Sequence, residues 1–451
     1  MKLFVNQVFT GLLVTLTATS YAFPAMGWEK LHEFEARAKA AGLGPLESRA
    51  ATSKNGAEPI TDACPFAGAK SALVPGPNKG PYPVPDPKCP NIHQFQAPKP
   101  GDERGPCPGT NMMANYGFIS RDGLTNYEEL VNAQQNMLQI GWDLAVFLAA
   151  LEVSLSGNPL NDGRISIGGA RPDWTNTGLL DPLLGVPGGY DKHNGFESDT
   201  SFLRKDQDVA RETDGNYGFD QATWKRLIEV CESGKYPKGK EYNFDCAVEA
   251  RKAQYDYSLA TNDRFFFGPY QLILYGTPQF LYKTWATGDL QPNRSLAMTV
   301  YGIEEDGKGG YREAPSKLPD NWYTAPEPFT FSSGTTDIIR MYAFNPVSFG
   351  GKVDNGTFVP IDSRSLKITN GKLDDPSSNG ITCLMQQLLL QESPDIVTNS
   401  PLLRVPLSSL NWAKQKTQGM FSGLGCPELT PRGLFPDDHP LVRREQSIAS
   451  K

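Results

Sequence analysis

The chain has 451 residues, 39% hydrophobic and 21% charged, with a formal net charge of -7 and no basic run. That is enough apolar material for one large core or two, and an acidic balance with no basic face excludes nucleic acid and anionic membrane as natural partners. Glycine (44) and proline (37) are both abundant, so long irregular connections are expected between the regular elements.

Residues 1–22 combine Lys2, an apolar run from Gly11 to Leu16 and small residues at Ser20 and Ala22. This reads as a secretory signal cleaved near Ala22, so the mature protein is expected to be secreted and extracellular. Asn6, Gln7 and several threonines interrupt the run, and no later segment carries about 18 consecutive apolar residues, so no membrane span is expected. The seven cysteines are Cys64, Cys89, Cys107, Cys231, Cys246, Cys383 and Cys426. In an oxidising compartment an odd count leaves a sulfur free, and Cys107 is the candidate; counting alone leaves open that Cys107 is bridged and another is free. Closeness in sequence suggests Cys64 with Cys89 and Cys231 with Cys246. Zinc is disfavoured, because no Cys-x-x-Cys pair occurs and His32, His93, His193 and His439 are scattered. Asn293-Arg-Ser and Asn355-Gly-Thr are glycosylation sequons.

In chain order, residues 28–42 have helical composition, and 53–101 read as a long ordered loop. Thr125-Asn-Tyr-Glu128 looks like a capping box opening one helix through about Leu155, apolar on nearly every side and therefore central. Asp220 caps a helix to Cys231, and Cys246–Ala260 and Tyr270–Ala286 read as further helices. Strand candidates are confined to Arg164–Ser166 and Leu296–Tyr301, and a last helix is expected over Ile381–Leu390. The fold class is mainly α, with long irregular loops and few short strands. Residues 23–290 are read as the core, 291–435 as a C-terminal extension packed on it, and 436–451 as a loose tail.

Three segments carry chemistry. Pro106 and Pro108 flank Cys107, which displays its sulfur on a stiff loop, and Pro108 suits the first position of a helix whose free N–H groups favour thiolate. Glu197, Asp199 and Ser201 gather oxygen ligands that suit a hard cation such as magnesium, or else form a helix cap with acidic first-turn residues. Arg264 stands beside Phe265, Phe266 and Phe267, which reads either as a functional cation among rings or as a core turn with a surface ion pair.

Together and in this order, the segments resemble the fungal heme-thiolate peroxidases, the family of chloroperoxidase and the unspecific peroxygenases. The match runs from His93 through Gly109 to Asn111, Ala114, Asn115, Gly117, Arg121 and Gly123, and resumes at His193-Asn194 and Glu197-x-Asp199-x-Ser201-x-x-Arg204-x-Asp206. It covers about residues 85 to 290. The resemblance implies one large helical domain around a buried heme b, with Cys107 as axial thiolate, which favours O–O cleavage on the opposite face. It implies Mg2+ held by Glu197, the Ser198 carbonyl, Ser201 and a heme propionate, and assigns no ligand role to Asp199. The implied partners are hydrogen peroxide and a small aromatic or apolar substrate, with Phe196, Phe265, Phe266 and Phe267 as channel candidates, in a monomer or homodimer. In longer members an arginine precedes the catalytic glutamate by seven positions; Arg264 fits the arginine, and Gln271 takes the glutamate's place. An amide cannot relay a proton at neutral pH, so the relay would fall to water, Asp263 or a carboxylate elsewhere. The expected function is peroxide-driven oxygenation of organic substrates. The alternatives are halogenation or one-electron oxidation by the same chemistry, or a heme protein of weak turnover recruited to a secondary-metabolite pathway.

Overall fold

The computed structural model describes residues 56–58, 81–176, 186–193, 195–206, 218–268, 271–284, 292–320, 322–360, 368–374, 378–391, 412–417, 421 and 426, and among them helices dominate. The expected helix at 28–42 and the tail 436–451 lie outside these residues. After an irregular stretch of turns and bends from 81, helix α1 (Pro108–Asn115) follows directly on Cys107, with Pro108 in its first turn.

Strand β1 (Leu124–Asn126) leads into α2 (Tyr127–Leu138). The cap falls one residue later than the Thr125–Glu128 pattern suggests: Asn126 Oδ1 accepts from the Glu129 amide at 3.0 Å, while the Thr125 hydroxyl donates to the Glu129 carboxylate at 2.9 Å. The single helix expected through Leu155 is broken at Gln139, whose φ of 52° is left-handed and cannot continue an α-helix. Gly141 then opens α3 (Trp142–Ser156), which packs beside α2 and is buried on most sides. Strand β2 (Arg164–Ser166) pairs antiparallel with β1, Leu124 opposite Ser166, and is followed by the single turn α4 (Pro172–Thr175).

Asp220 caps α5 (Gln221–Cys231) by accepting from the Thr223 amide at 2.8 Å, and Asn243 caps α6 (Phe244–Thr261) in the same way. The Cys231–Cys246 disulfide joins the end of α5 to the first turn of α6. Cys383–Cys426 is a second bridge, Cys89 is also disulfide-bonded, and Cys107 is the free cysteine among the described residues. Beyond β3 (Phe266–Phe267), the helix expected over Tyr270–Ala286 is instead two short ones, α7 (Gln271–Tyr275) and α8 (Gln279–Lys283). They part at Gly276, where a Cβ would lie 2.3 Å from Ile338: the chain approaches its neighbour too closely for any side chain.

Leu296–Tyr301, read as a strand, lies in helix α9 (Arg294–Tyr301), capped by Asn293 Oδ1 at 3.0 Å from the Leu296 amide and closed by Gly302 at φ 70°. A six-residue apolar window cannot separate strand from helix, and here Ala297 and Val300, three apart, are the residues turned inward. The remaining elements are the hairpin β4 (Ile303–Glu305) and β5 (Tyr311–Glu313), α10 (Phe331–Phe344), β6 (Gly351–Asp354), β7 (Thr357–Pro360), the small pair β8 (Ile368–Thr369) and β9 (Lys372–Leu373), and α11 (Ser378–Gln391). β6 lies between β3 and β7, and both α10 and α11 pack against α3.

The loop that carries Cys107 is held by two asparagines of α1. Asn111 Oδ1 accepts from the Gly105 amide at 3.1 Å and its Nδ2 donates to the Gly105 carbonyl at 2.9 Å. Asn115 accepts from both Nε and Nη2 of Arg104, at 2.9 and 2.8 Å, and donates to the Ser316 carbonyl at 2.9 Å. Gly105 itself passes so close to Ile167 that a Cβ would sit 2.1 Å from that carbonyl. Replacing Asn111 by Ala strips both bonds from a buried backbone unit and should cost about 2–3 kcal/mol. Urea unfolding checks this; an unchanged midpoint would mean that the loop is held by other contacts.

Candidate active site

A cavity of about 270 Å³ opens between α1, α2, α3, the 196–204 loop, the 273–284 segment and α10. Much of its wall is one face of α3: Leu144, Phe147, Leu148, Leu151 and Leu155 recur at helical spacing and span roughly 16 Å at 1.5 Å per residue. Ile273 and Phe329 add to this apolar lining.

Cys107 opens into the cavity from the N-cap position of α1. The sequence suggests that the helix terminus favours thiolate. In the folded chain burial pushes the thiol pKa up, the nearby Glu152 adds to this, and the amides of Thr110 and Gly109 offset only part of it. A metal cation bonded to the sulfur reverses that balance outright, because a coordinating thiol is deprotonated.

Glu197, Ser198 and Ser201 all line the same cavity. Glu197 Oε2 lies 2.7 Å from His193 Nδ1, and Ser201 Oγ accepts from the amides of Leu203 and Arg204 at 3.2 and 3.1 Å. Asp199 acquires a role: its Oδ2 accepts from Asn262 Nδ2 and from the Phe266 amide, each at 3.1 Å, fastening this loop to β3. Burial raises the Asp199 pKa, Asp206 raises it further, and His193 opposes both. Thr200, at φ 71°, is held by Asp206, which accepts its amide at 3.1 Å.

The aromatic candidates divide. Phe196 lines the cavity and stacks on Tyr190 at 4.0 Å. Phe265 and Phe267 point away from it: both are fully buried, parallel to each other and edge-on to Tyr255 of α6, while Phe266 lies between them in β3, half-buried and off the cavity wall. Arg264 and Asp263 are exposed and Gln271 is buried, and none of the three is among the residues that line the cavity.

Two guanidiniums do line it, that of Arg204 on the acidic loop and that of Arg251 on α6, and Arg251 is the one bound across to the α7 segment. It donates to the carbonyls of Thr200, Leu274 and Tyr275 and to Thr277 Oγ1, and lies 5.0 Å over the Phe202 ring. Burial lowers its pKa to about 10, which leaves it cationic at neutral pH. Glu152 is the second residue that motif reading passed over. It interrupts the apolar face of α3, is buried, and has an Oε2 with no hydrogen-bond partner. Burial pushes its pKa up to about 8, against the opposing effect of the Tyr190 phenol. A lone carboxyl in the middle of an apolar helix was the available signal. A free thiol opening on an apolar chamber, with a buried cation and a carboxylate-bearing loop at its edges, is a donor set that fits a large planar iron cofactor held by sulfur.

Residues 93–327, more than half of the chain, match the sequence profile described as "Peroxidase, family 2". The chain belongs to that family, the fungal heme-thiolate peroxidases. It is 27% identical to the aromatic peroxidase fscJ of Fusarium equiseti, over 75% of this chain and 79% of that protein. It is 28% identical to the aromatic peroxygenase of Cyclocybe aegerita, over 60% and 68%, and 32% identical to the chloroperoxidase of Leptoxyphium fumago, over 37% and 42%. The protein is accordingly a peroxide-using heme enzyme. Among the described residues no helix is long and apolar enough to cross a membrane.

Two outcomes follow for this heme-thiolate peroxidase. Between an unfolded pKa of 4.5 and a folded value of about 8, Glu152 binds a proton only in the folded state, so its contribution to stability falls as pH rises through that window. Glu152→Gln should therefore lose less melting temperature than the native protein as pH rises through this window, the remainder coming from other buried carboxyls such as Asp191 and Asp199, and parallel melting curves for the two would refute the buried neutral acid. Gln271→Glu places a carboxylate in a fully buried site away from the cavity, and should lower the melting temperature without raising peroxide-driven turnover. A rise in turnover would put Gln271 in contact with the chemistry.

Proposed function

We propose that this enzyme transfers oxygen from hydrogen peroxide to an apolar or aromatic organic substrate, with Cys107 as the axial ligand of its heme. The observation that carries the reading is the free cysteine opening into an apolar cavity. Bound heme supplies peroxide activation and the oxidising centre. The chain's own residues do the rest. Cys107 Sγ binds as thiolate on a loop kept rigid by Asn111, so its position does not depend on the ligand. The leucines and Phe147 of α3 exclude water and accept an apolar substrate, and Phe196 offers a ring face at the motif loop.

Glu152 is the carboxyl of the apolar α3 wall suited to exchange a proton at neutral pH: burial keeps it protonated there, and its Oε2 is unpartnered, whereas Asp199 on the acidic loop is held by Asn262 and Phe266. Arg251, with Nη1 and Nη2 held by the Thr200 carbonyl, the Leu274 carbonyl and Thr277, keeps a positive charge fixed on the cavity wall, where it would favour negative charge on a bound oxygen. Glu197, the Ser198 carbonyl and Ser201 form an all-oxygen set for Mg2+ beside the cofactor's edge, a reading supported by their shared place on the cavity wall. Two disulfides in a chain that begins with a signal-like segment support an extracellular site of action.

Cys107→Ser should abolish the thiolate signature of the ferrous CO complex and drop oxygenation to background, while the fold is retained. With isotopically labelled peroxide the native enzyme should place the label in the product. If the purified protein takes up no heme, or Cys107→Ser retains the thiolate spectrum, the reading fails. Chlorination of a dione without oxygen insertion would favour the halogenase version of the same chemistry.

A further inference from the structure

We propose that Gln134 and Gln279 form a polar recognition subsite in the cavity, and that the substrate is an apolar ring system carrying a neutral group that both donates and accepts a hydrogen bond. The proposal rests on the reading that this cavity receives the organic substrate.

Both side chains line the cavity and both are nearly sealed from solvent, at 2% and 4% exposure. Gln134 has neither its amide nitrogen nor its amide oxygen hydrogen-bonded, and Gln279 has its oxygen open. A buried amide left without partners is destabilising, so two such residues facing one cavity call for a reason. Packing habit does not supply it. Gln139, five residues on and equally buried, accepts from Thr324 and donates to the Pro326 carbonyl.

The elements that carry the two glutamines meet at Phe329. The Gln134 backbone carbonyl accepts from the Ile140 amide at 3.1 Å, and Ile140 bridges to Phe329. Gln279 Oε1 lies 3.7 Å from the point a Cβ on Gly334 would occupy, and Phe329 ring carbons lie 3.4 and 3.5 Å from that point. Whichever way the Gln134 amide is turned, it presents one donor and one acceptor, and Gln279 adds a further polar atom. The complement is a group with a carbonyl and an N–H or O–H side by side, attached to a body that fills the surrounding Leu, Ile and Phe surface. The same pair of atoms could instead engage a heme propionate, and the test separates the two.

The probes are naphthalene and 2-naphthamide, whose primary amide can pair with that of Gln134 in two bonds. Binding to the heme-loaded enzyme is read by titration calorimetry, and the variant is Gln134→Leu, close in size and apolar. The native enzyme should prefer 2-naphthamide by tenfold or more, as two buried hydrogen bonds imply. Gln134→Leu should bring the ratio within about twofold, keep its heme content and CO spectrum, and melt above the native protein because an unpartnered amide is gone. Gln279→Leu should reduce the preference in the same direction. A native ratio near one, a preference retained in Gln134→Leu, or failure of both probes to bind overturns the subsite. Loss of heme from Gln134→Leu would assign the amide to the cofactor, and a lower melting temperature would assign it to the fold; either result also overturns it. Turnover is not the readout, so these outcomes are separate from failure of the peroxidase reading.

Discussion

An ionisable sulfur held at a buried, largely apolar chamber is the constraint on which the rest of this molecule depends. Burial raises the Cys107 pKa, and the first turn of α1 recovers only part of the loss. On the proposed reading, in which Cys107 holds the heme, the thiolate is a product of metal ligation more than of the local field, and the demand falls on the rigidity of the loop. Asn111 clamps Gly105, Asn115 binds Arg104 and Ser316, and Gly105 is wedged against Ile167, so the backbone before the cysteine is fastened on several sides.

What was legible in the sequence was short in range. The proline-flanked Cys107, the Glu197–Ser201 loop, the Asp220 cap and the Cys231–Cys246 proximity each depend on neighbours within a few or a few tens of residues, and local backbone rules govern them. Counting along a helix failed wherever the helix was not one. The seven-residue offset from Arg264 to Gln271 rests on the resemblance; in the fold Arg264 is exposed, Gln271 is buried off the cavity wall, and the residues just beyond it that do reach the wall are Ile273, Leu274, Thr277 and Pro278. The break at Gln139 was hidden for the same reason, since a left-handed glutamine leaves no mark in hydrophobic periodicity.

Glu152, Arg251 and Gln134 were missed because their meaning is tertiary. Each sits in an ordinary helical stretch and becomes notable only when α2, α3 and α6 are brought round one space. The C-terminal third, for which residue matching offered nothing, supplies part of that enclosure: Phe329, Phe331, Gly334, Ile338 and Met385 all line it, and β6 completes the sheet begun by β3. The cavity is therefore built from both ends of the chain.

Arg251 has a mechanical side as well. One guanidinium grips the Thr200 carbonyl of the acidic loop with one nitrogen and the carbonyls of Leu274 and Tyr275 with the others, so two wall segments more than seventy residues apart in sequence share a single rivet. A body that shoulders the acidic loop aside must drag the α7 terminus with it. The two walls are thus tied to each other through one side chain, and the width of the chamber between them is set by Arg251 as well as by the residues that face it.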